Sequence, residues 1–180
     1  IDRCSLTDLP DLSNCFSLIT FGCCGNNIKK IPDISRCVKL RAVSFSQNPL
    51  IELPASLSQC VSLEELWCHD NQLRILPDLS NCINLKSLYC HHNELIELPD
   101  LSHCVNLVHL NCSFNYLYSL PVLTNNIKLQ YLTCSSNSLI NLPDLSKCIV
   151  LKELYCQHNM LQKIPNRKTL NLSSLENWLW

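Results

Sequence analysis

Apolar residues return along this chain in a fixed phrase of 22 residues, clearest in LPDLSNCINLKSLYCHHNELIE from Leu76 to Glu97. Counting the first leucine as position 1, leucine, isoleucine or cysteine recurs at positions 1, 4, 7, 10, 13, 15 and 20, and asparagine at 18. Copies begin at Leu9, Ile31, Leu53, Leu76, Leu98, Leu120 and Leu142, and a partial copy opens at Ile164; the copy from Leu53 to Ile75 carries one extra residue. Ile1 to Asp8 reads as the tail of an earlier turn. A repeat this short cannot bury its own apolar face, so the turns must stack around one elongated core. Positions 13 and 15 point inward while 12, 14 and 16 point outward, the period of a strand. Proline at position 2 of every copy, from Pro10 to Pro165, forbids a helix running between turns. The pattern therefore predicts one short strand and one return arc per turn across residues 1–163, then a partial repeat and C-terminal cap over 164–180. In the segment NLSSLENWLW, Ser173 and Glu176 have capping-box spacing, which predicts a short helix laying Leu175 and Leu179 over the last strand.

Polar positions sharpen the turn. Asn26, Asn48, Asn71, Asn93, Asn115, Asn137 and Asn159 fit a buried ladder whose side-chain amides satisfy backbone groups where the chain leaves the strand. Asp11, Asp33, Asp78, Asp100 and Asp144, each with serine two residues on, suit capping of a tight turn. Ala55 and Val122 interrupt that acidic column, which argues against a calcium site.

The motif LxxLxCxxNxL, seen as LKSLYCHHNEL from Leu85 and LVHLNCSFNYL from Leu107, resembles the leucine-rich repeat family, and the resemblance runs from Leu6 to Ile164. It implies an α/β solenoid, mostly β and coil, wound as a right-handed superhelix with a parallel sheet on the concave face. Only the third copy keeps the family's LPxxL, as LPASL, so the convex arcs are expected to be tight extended or 3₁₀ segments. Relatives with such short, bacterial-looking turns often serve as recognition arms of larger proteins, including effectors that join repeats to a ubiquitin-ligase domain. The resemblance thus implies protein binding, and as an alternative a targeting arm for an enzyme encoded elsewhere. No segment resembles the ligase domain itself.

Composition narrows the function classes. With 47% hydrophobic and 16% charged residues, a formal net charge of −1 and a pI near 6.6, the chain lacks the basic surface that would hold nucleic acid or an anionic membrane. No apolar run approaches the ~18 residues of a membrane span. Fourteen cysteines would suit a disulfide scaffold, but six fall at position 7 and six at position 15, where the repeat buries apolar residues. Asn126 and Phe45 fill the gaps in those columns. Stacked strands lie about 4.8 Å apart, whereas a disulfide brings Cβ atoms to about 3.8 Å. The cysteines are therefore expected as free, buried thiols acting as small hydrophobes, in a cytoplasmic protein or one working in a host cytosol. The adjacent Cys23 and Cys24 point to opposite faces, so no zinc cluster forms from thiols.

Function is left to the outward strand positions. Their middle is rich in aromatic rings and histidine: Trp67, Tyr89 and Tyr155 at position 14, Glu65, His109 and Tyr131 at position 12, and His69 and His91 at position 16. Trp67 and Tyr89 should pack side by side, flanked by His69, His91 and His92. Such a cluster has the composition of a binding hot spot, although large residues also shield an open sheet from water. Serines share position 16, with Ser113 expected to be exposed. His69 and His91 stand close enough to share a metal, with His109 a distant third, but no carboxylate completes the set and no metal or other cofactor is expected. Gly22 and Gly25, the two glycines, leave room for a partner's backbone or mark a terminal turn. No nucleophile has a base fixed beside it and no glycine-rich phosphate loop occurs, so the chain is expected to be a monomeric, non-catalytic module that binds a protein, or else a structural spacer.

Overall fold

The fold is seen in a computed structural model that describes residues 1–163 and 175–179. Eight three-residue strands follow one another: β1 (Thr20–Gly22), β2 (Ala42–Ser44), β3 (Glu65–Trp67), β4 (Ser87–Tyr89), β5 (His109–Asn111), β6 (Tyr131–Thr133), β7 (Glu153–Tyr155) and β8 (Asn177–Leu179). All pair in parallel and in chain order, forming one sheet. The register joins position 13 to position 13, so Val43, Leu66, Leu88, Leu110, Leu132 and Leu154 form one fully buried row. Stacking of identical turns, not the propensity of any one strand, holds this solenoid together.

Each strand is short because the chain turns sharply three residues beyond it. At position 17 the backbone is left-handed in Gly25, Gln47, Asp70, His92, Phe114, Ser136 and His158, with φ between 52° and 67°. Only Gly25 adopts this region without steric cost. The asparagine one residue later holds the turn in place. Asn93 donates from Nδ2 to the carbonyls of Cys68 and Cys90, both at 3.0 Å, and its Oδ1 accepts from the buried Leu73 N–H at 3.1 Å. The same rung recurs from Asn26 to Asn159.

The arcs are extended and punctuated by tight turns, in which the position 7 amide donates to the position 4 carbonyl, as in Cys15 to Leu12 and Cys104 to Leu101. Aspartate caps them: Asp100 accepts from the amide and the hydroxyl of Ser102, both at 2.8 Å. These hydrogen bonds to the ionised carboxylate hold the Asp100 pKa below its ordinary value. The LPASL turn alone forms a 3₁₀ helix among the described residues, Ala55–Gln59, and that is where the extra residue goes.

All fourteen cysteines are free, and twelve fall in the two predicted columns. Position 7 also has a polar task. The thiols of Cys37, Cys60, Cys82, Cys104 and Cys148 point at the position 4 carbonyls of the preceding turns, at 3.6 to 3.9 Å. Asn126 replaces cysteine in that column and does the same with an amide, donating to Leu101 O at 3.0 Å and Cys104 O at 2.9 Å. Position 7 thus selects small buried donors.

The expected C-terminal helix is corrected. Asn177–Leu179 is a strand that pairs with β7, Leu154 opposite Trp178. The bare edge of β7 offers unpaired backbone groups, and satisfying them outweighs a local capping signal. Trp178 packs against the core, Leu175 is buried, and Leu179 faces outward. Ser173 and Trp180 lie outside the described residues.

Candidate recognition face of the sheet

The outward positions 12 and 14 of the central strands carry their rings into one row. Trp67 and Tyr89, at corresponding places on β3 and β4, stack at 6.3 Å between centroids and 8° between planes. Tyr89 meets His109 at 6.3 Å, and His109 lies flat on Tyr131 at 4.5 Å and 1°. The Lys152 ammonium stands 6.0 Å over the Tyr131 ring. These distances suit offset aromatic stacking, in which each ring shields one face and leaves an edge to solvent. Glu65 lies close enough to raise the Tyr89 pKa, after desolvation, and to oppose the lowering that desolvation imposes on His109.

A second row forms at positions 16 and 17. His69 and His91 stack at 4.4 Å and 10°, and His91 stands edge-on to Tyr89, which joins the two rows. His92 stacks on Phe114 at 4.2 Å. Burial together with the neighbouring His69 pushes the His91 pKa down to about 4, so the imidazole is neutral at physiological pH. Glu64 flanks the face at position 11, pairing with Arg41 of the preceding turn and with Lys86 of the next, the latter at 2.7 Å.

Seven of the eight expected site residues are brought together by these contacts. Tyr155 stands apart from the ring rows and instead lines a groove of about 630 Å³ with His91, His92, Phe114, Gln157 and Leu179. All eight are half-buried. Phe114, half exposed at the rim of that groove, was not among the expected site residues; its sign in the sequence was an aromatic residue at the turning position 17.

Three expectations are corrected. Position 16 is outward only for large residues: Ser46, Ser113 and Ser135 are buried, and Ser113 Oγ accepts from the Ser135 amide. The chain is already bending away from the sheet there, so a small side chain is covered by its neighbours. Gly22 does not leave space for a partner, because Asp2 occupies it; a Cβ there would stand 3.1 Å from the Asp2 carboxylate. Lastly, a carboxylate does reach the histidines. Asp70 Oδ2 lies 2.8 Å from His69 Nδ1, and ligand atoms of His69, Asp70 and His91 all lie within 4.8 Å of one another.

The arrangement can offer rings, imidazole nitrogens and the carboxylates of Glu65 and Asp70 to a partner. No helix among the described residues is long and apolar enough to cross a membrane.

A family model described as leucine-rich repeats in two copies matches residues 61–103. Among solved structures, a leucine-rich-repeat protein of Leptospira interrogans superposes with a TM-score of 0.86 at 26% identity, over 97% of this chain and 46% of that one. The functional domain of InlJ from Listeria monocytogenes, which includes a cysteine ladder, gives 0.85 at 32% identity, over 95% of this chain and 36% of that one. YopM, a leucine-rich effector protein of Yersinia pestis, gives 0.83 at 29% identity, over 98% and 46%. The chain thus spans less than half the length of each. No curated protein sequence matches it.

Proposed function

The chain belongs to the leucine-rich repeat family, and from that premise we propose that it is a protein-recognition module whose concave sheet face, centred on Trp67 and Tyr89, takes the partner. The observation that carries this reading is the continuous ring row from Trp67 through Tyr89 and His109 to Tyr131, joined edge-on to the stacked histidines. The inward leucines and the asparagine ladder hold the turns together without any ring on the outer face. Yet five of the eight site residues are aromatic or imidazole side chains on three successive strands or their ends, with Glu65 as the one charged residue of the eight. Stacking leaves each ring with few conformations to lose on binding, so such a row binds at low entropic cost. The resemblance to a Yersinia effector supports the same class of function.

The test is affinity for a partner isolated by cross-linking capture. Trp67→Ala with Tyr89→Ala should remove most binding, since truncated hot-spot residues each cost roughly 2 kcal/mol or more. Lys147→Ala, on the arc, should bind as the wild type does. Equal affinity for wild type and double variant, with both folded by circular dichroism, would sink the proposal.

A further inference from the structure

We propose that His69, Asp70 and His91 form a binding site for a divalent transition-metal ion of the zinc type. The three offer two imidazole nitrogens and one carboxylate oxygen, all within 4.8 Å of one another. Zinc bonds of about 2.0 to 2.2 Å place tetrahedral ligands about 3.4 Å apart, so binding requires the two imidazoles to turn out of their 4.4 Å stack towards the ion.

The backbone is already fixed. Asp70 N donates to His91 O at 3.1 Å, Gln47 N donates to His69 O at 3.0 Å, and the Asn71 and Asn93 amides reach His69 O and His91 O. The left-handed turn at Asp70, φ 53°, starts the chain away from the sheet just where its carboxylate meets the imidazole. A site held on locked elements loses little freedom when the ion arrives.

One atom lacks a partner that a metal would supply. His91 Nδ1 is buried and makes no hydrogen bond among the described residues, which is unusual for a buried polar atom. The Asp70 side chain is 42% exposed and that of His69 23%, so an ion can enter from solvent. The donor set selects the metal: imidazole with one carboxylate favours zinc, cobalt, nickel or copper over magnesium or calcium. Thiols do not compete within the site, because Cys68 and Cys90, one residue before each histidine, point into the core with no exposed surface. Three protein ligands leave the fourth position to water or to a donor from another molecule.

The site is a property of this chain alone, so its test needs no partner. Metal-free protein would be titrated with Co²⁺, whose visible spectrum separates nitrogen and oxygen ligation from thiolate ligation, and with Zn²⁺ by calorimetry. One ion should bind per chain, with the bands of tetrahedral nitrogen and oxygen coordination and no thiolate charge-transfer band. His69→Ala and His91→Ala should each weaken zinc at least about tenfold, and Asp70→Asn, which keeps the left-handed turn, should weaken it by a similar order. His158→Ala should change nothing. A thiolate band, no cobalt spectrum at millimolar metal, or binding that survives Asp70→Asn and the double histidine variant would each overturn the assignment. Asp70→Asn decides the matter even if the histidine variants fail to fold, since its side chain lies at the surface.

Discussion

Replacing Asn93 by alanine removes one whole rung of the asparagine ladder, and the hydrogen bonds of the rung set the expected cost. The Leu73 N–H, in a residue with no exposed surface, loses the oxygen it donates to at 3.1 Å. An orphaned buried donor costs about 1 to 3 kcal/mol. The carbonyls of Cys68 and Cys90 fare better, because Asn71 and Asn115 also donate to them, each at 3.1 Å. Losing the two donations from Asn93 therefore adds only about 0.5 to 1.5 kcal/mol each. The sum, about 2 to 6 kcal/mol, is a large part of the 5 to 15 kcal/mol that typically separates folded from unfolded states. The matched control is Asn84→Ala, the same substitution at an exposed site where Nδ2 makes one bond, 3.1 Å to Val61 O. It should cost no more than about 0.5 kcal/mol. Urea denaturation followed by circular dichroism, with the m-value checked to confirm one transition, gives both numbers. If Asn93→Ala falls within about 0.5 kcal/mol of Asn84→Ala, the ladder is not what holds the turns.

Two further outcomes follow from the same structure. Desolvation pushes the Cys60 and Cys68 thiols up to about 12, so the buried cysteines should resist alkylation in the native protein and all fourteen should react once it is unfolded; intact-mass analysis showing several disulfides in freshly prepared material would refute both this and a reducing compartment. The capping aspartates have folded pKa values below the ordinary 3.8, so their stabilisation is complete above that range and is lost as pH falls through the lower folded values; Asp33→Ala with Asp100→Ala should flatten the fall of melting temperature in acid, and an unchanged acid limb would remove the caps from the account.

The period of the apolar residues was enough to place β1 to β7, because one face of each strand must enter the shared core and a one-residue slip would expose leucine. The ladder and the aspartate caps were equally legible, since each is a local hydrogen bond repeated at fixed spacing. What the sequence hid was a matter of bending. Position 16 reads as outward by strict alternation, but the left-handed residue that follows has already turned the chain, so Ser113 is buried while His91 is large enough to rise out. The same bend brings Asp70, which the repeat pattern does not single out, against His69. Gly25 at that position in the first turn was the available sign of a left-handed backbone. At the C-terminus a local signal for a helix lost to the unpaired edge of β7, a long-range demand that no short segment announces.

The 3₁₀ helix of the third turn shows where this protein tolerates a change of length. Residues in register on β1 and β2 are 22 apart, as Thr20 and Ala42 are, whereas Ala42 and Glu65 on β2 and β3 are 23 apart and Glu153 and Asn177 on β7 and β8 are 24 apart. Strand pairing keeps its phase across all three spacings. The slack in the third turn is taken up entirely in the arc, on the side of the molecule away from the rings. A tag or epitope spliced between Ala55 and Gln59 should therefore be invisible to whatever reads the opposite face. Adding or deleting a whole repeat would instead move that face's boundary by about 4.8 Å, a ruler with one graduation per turn.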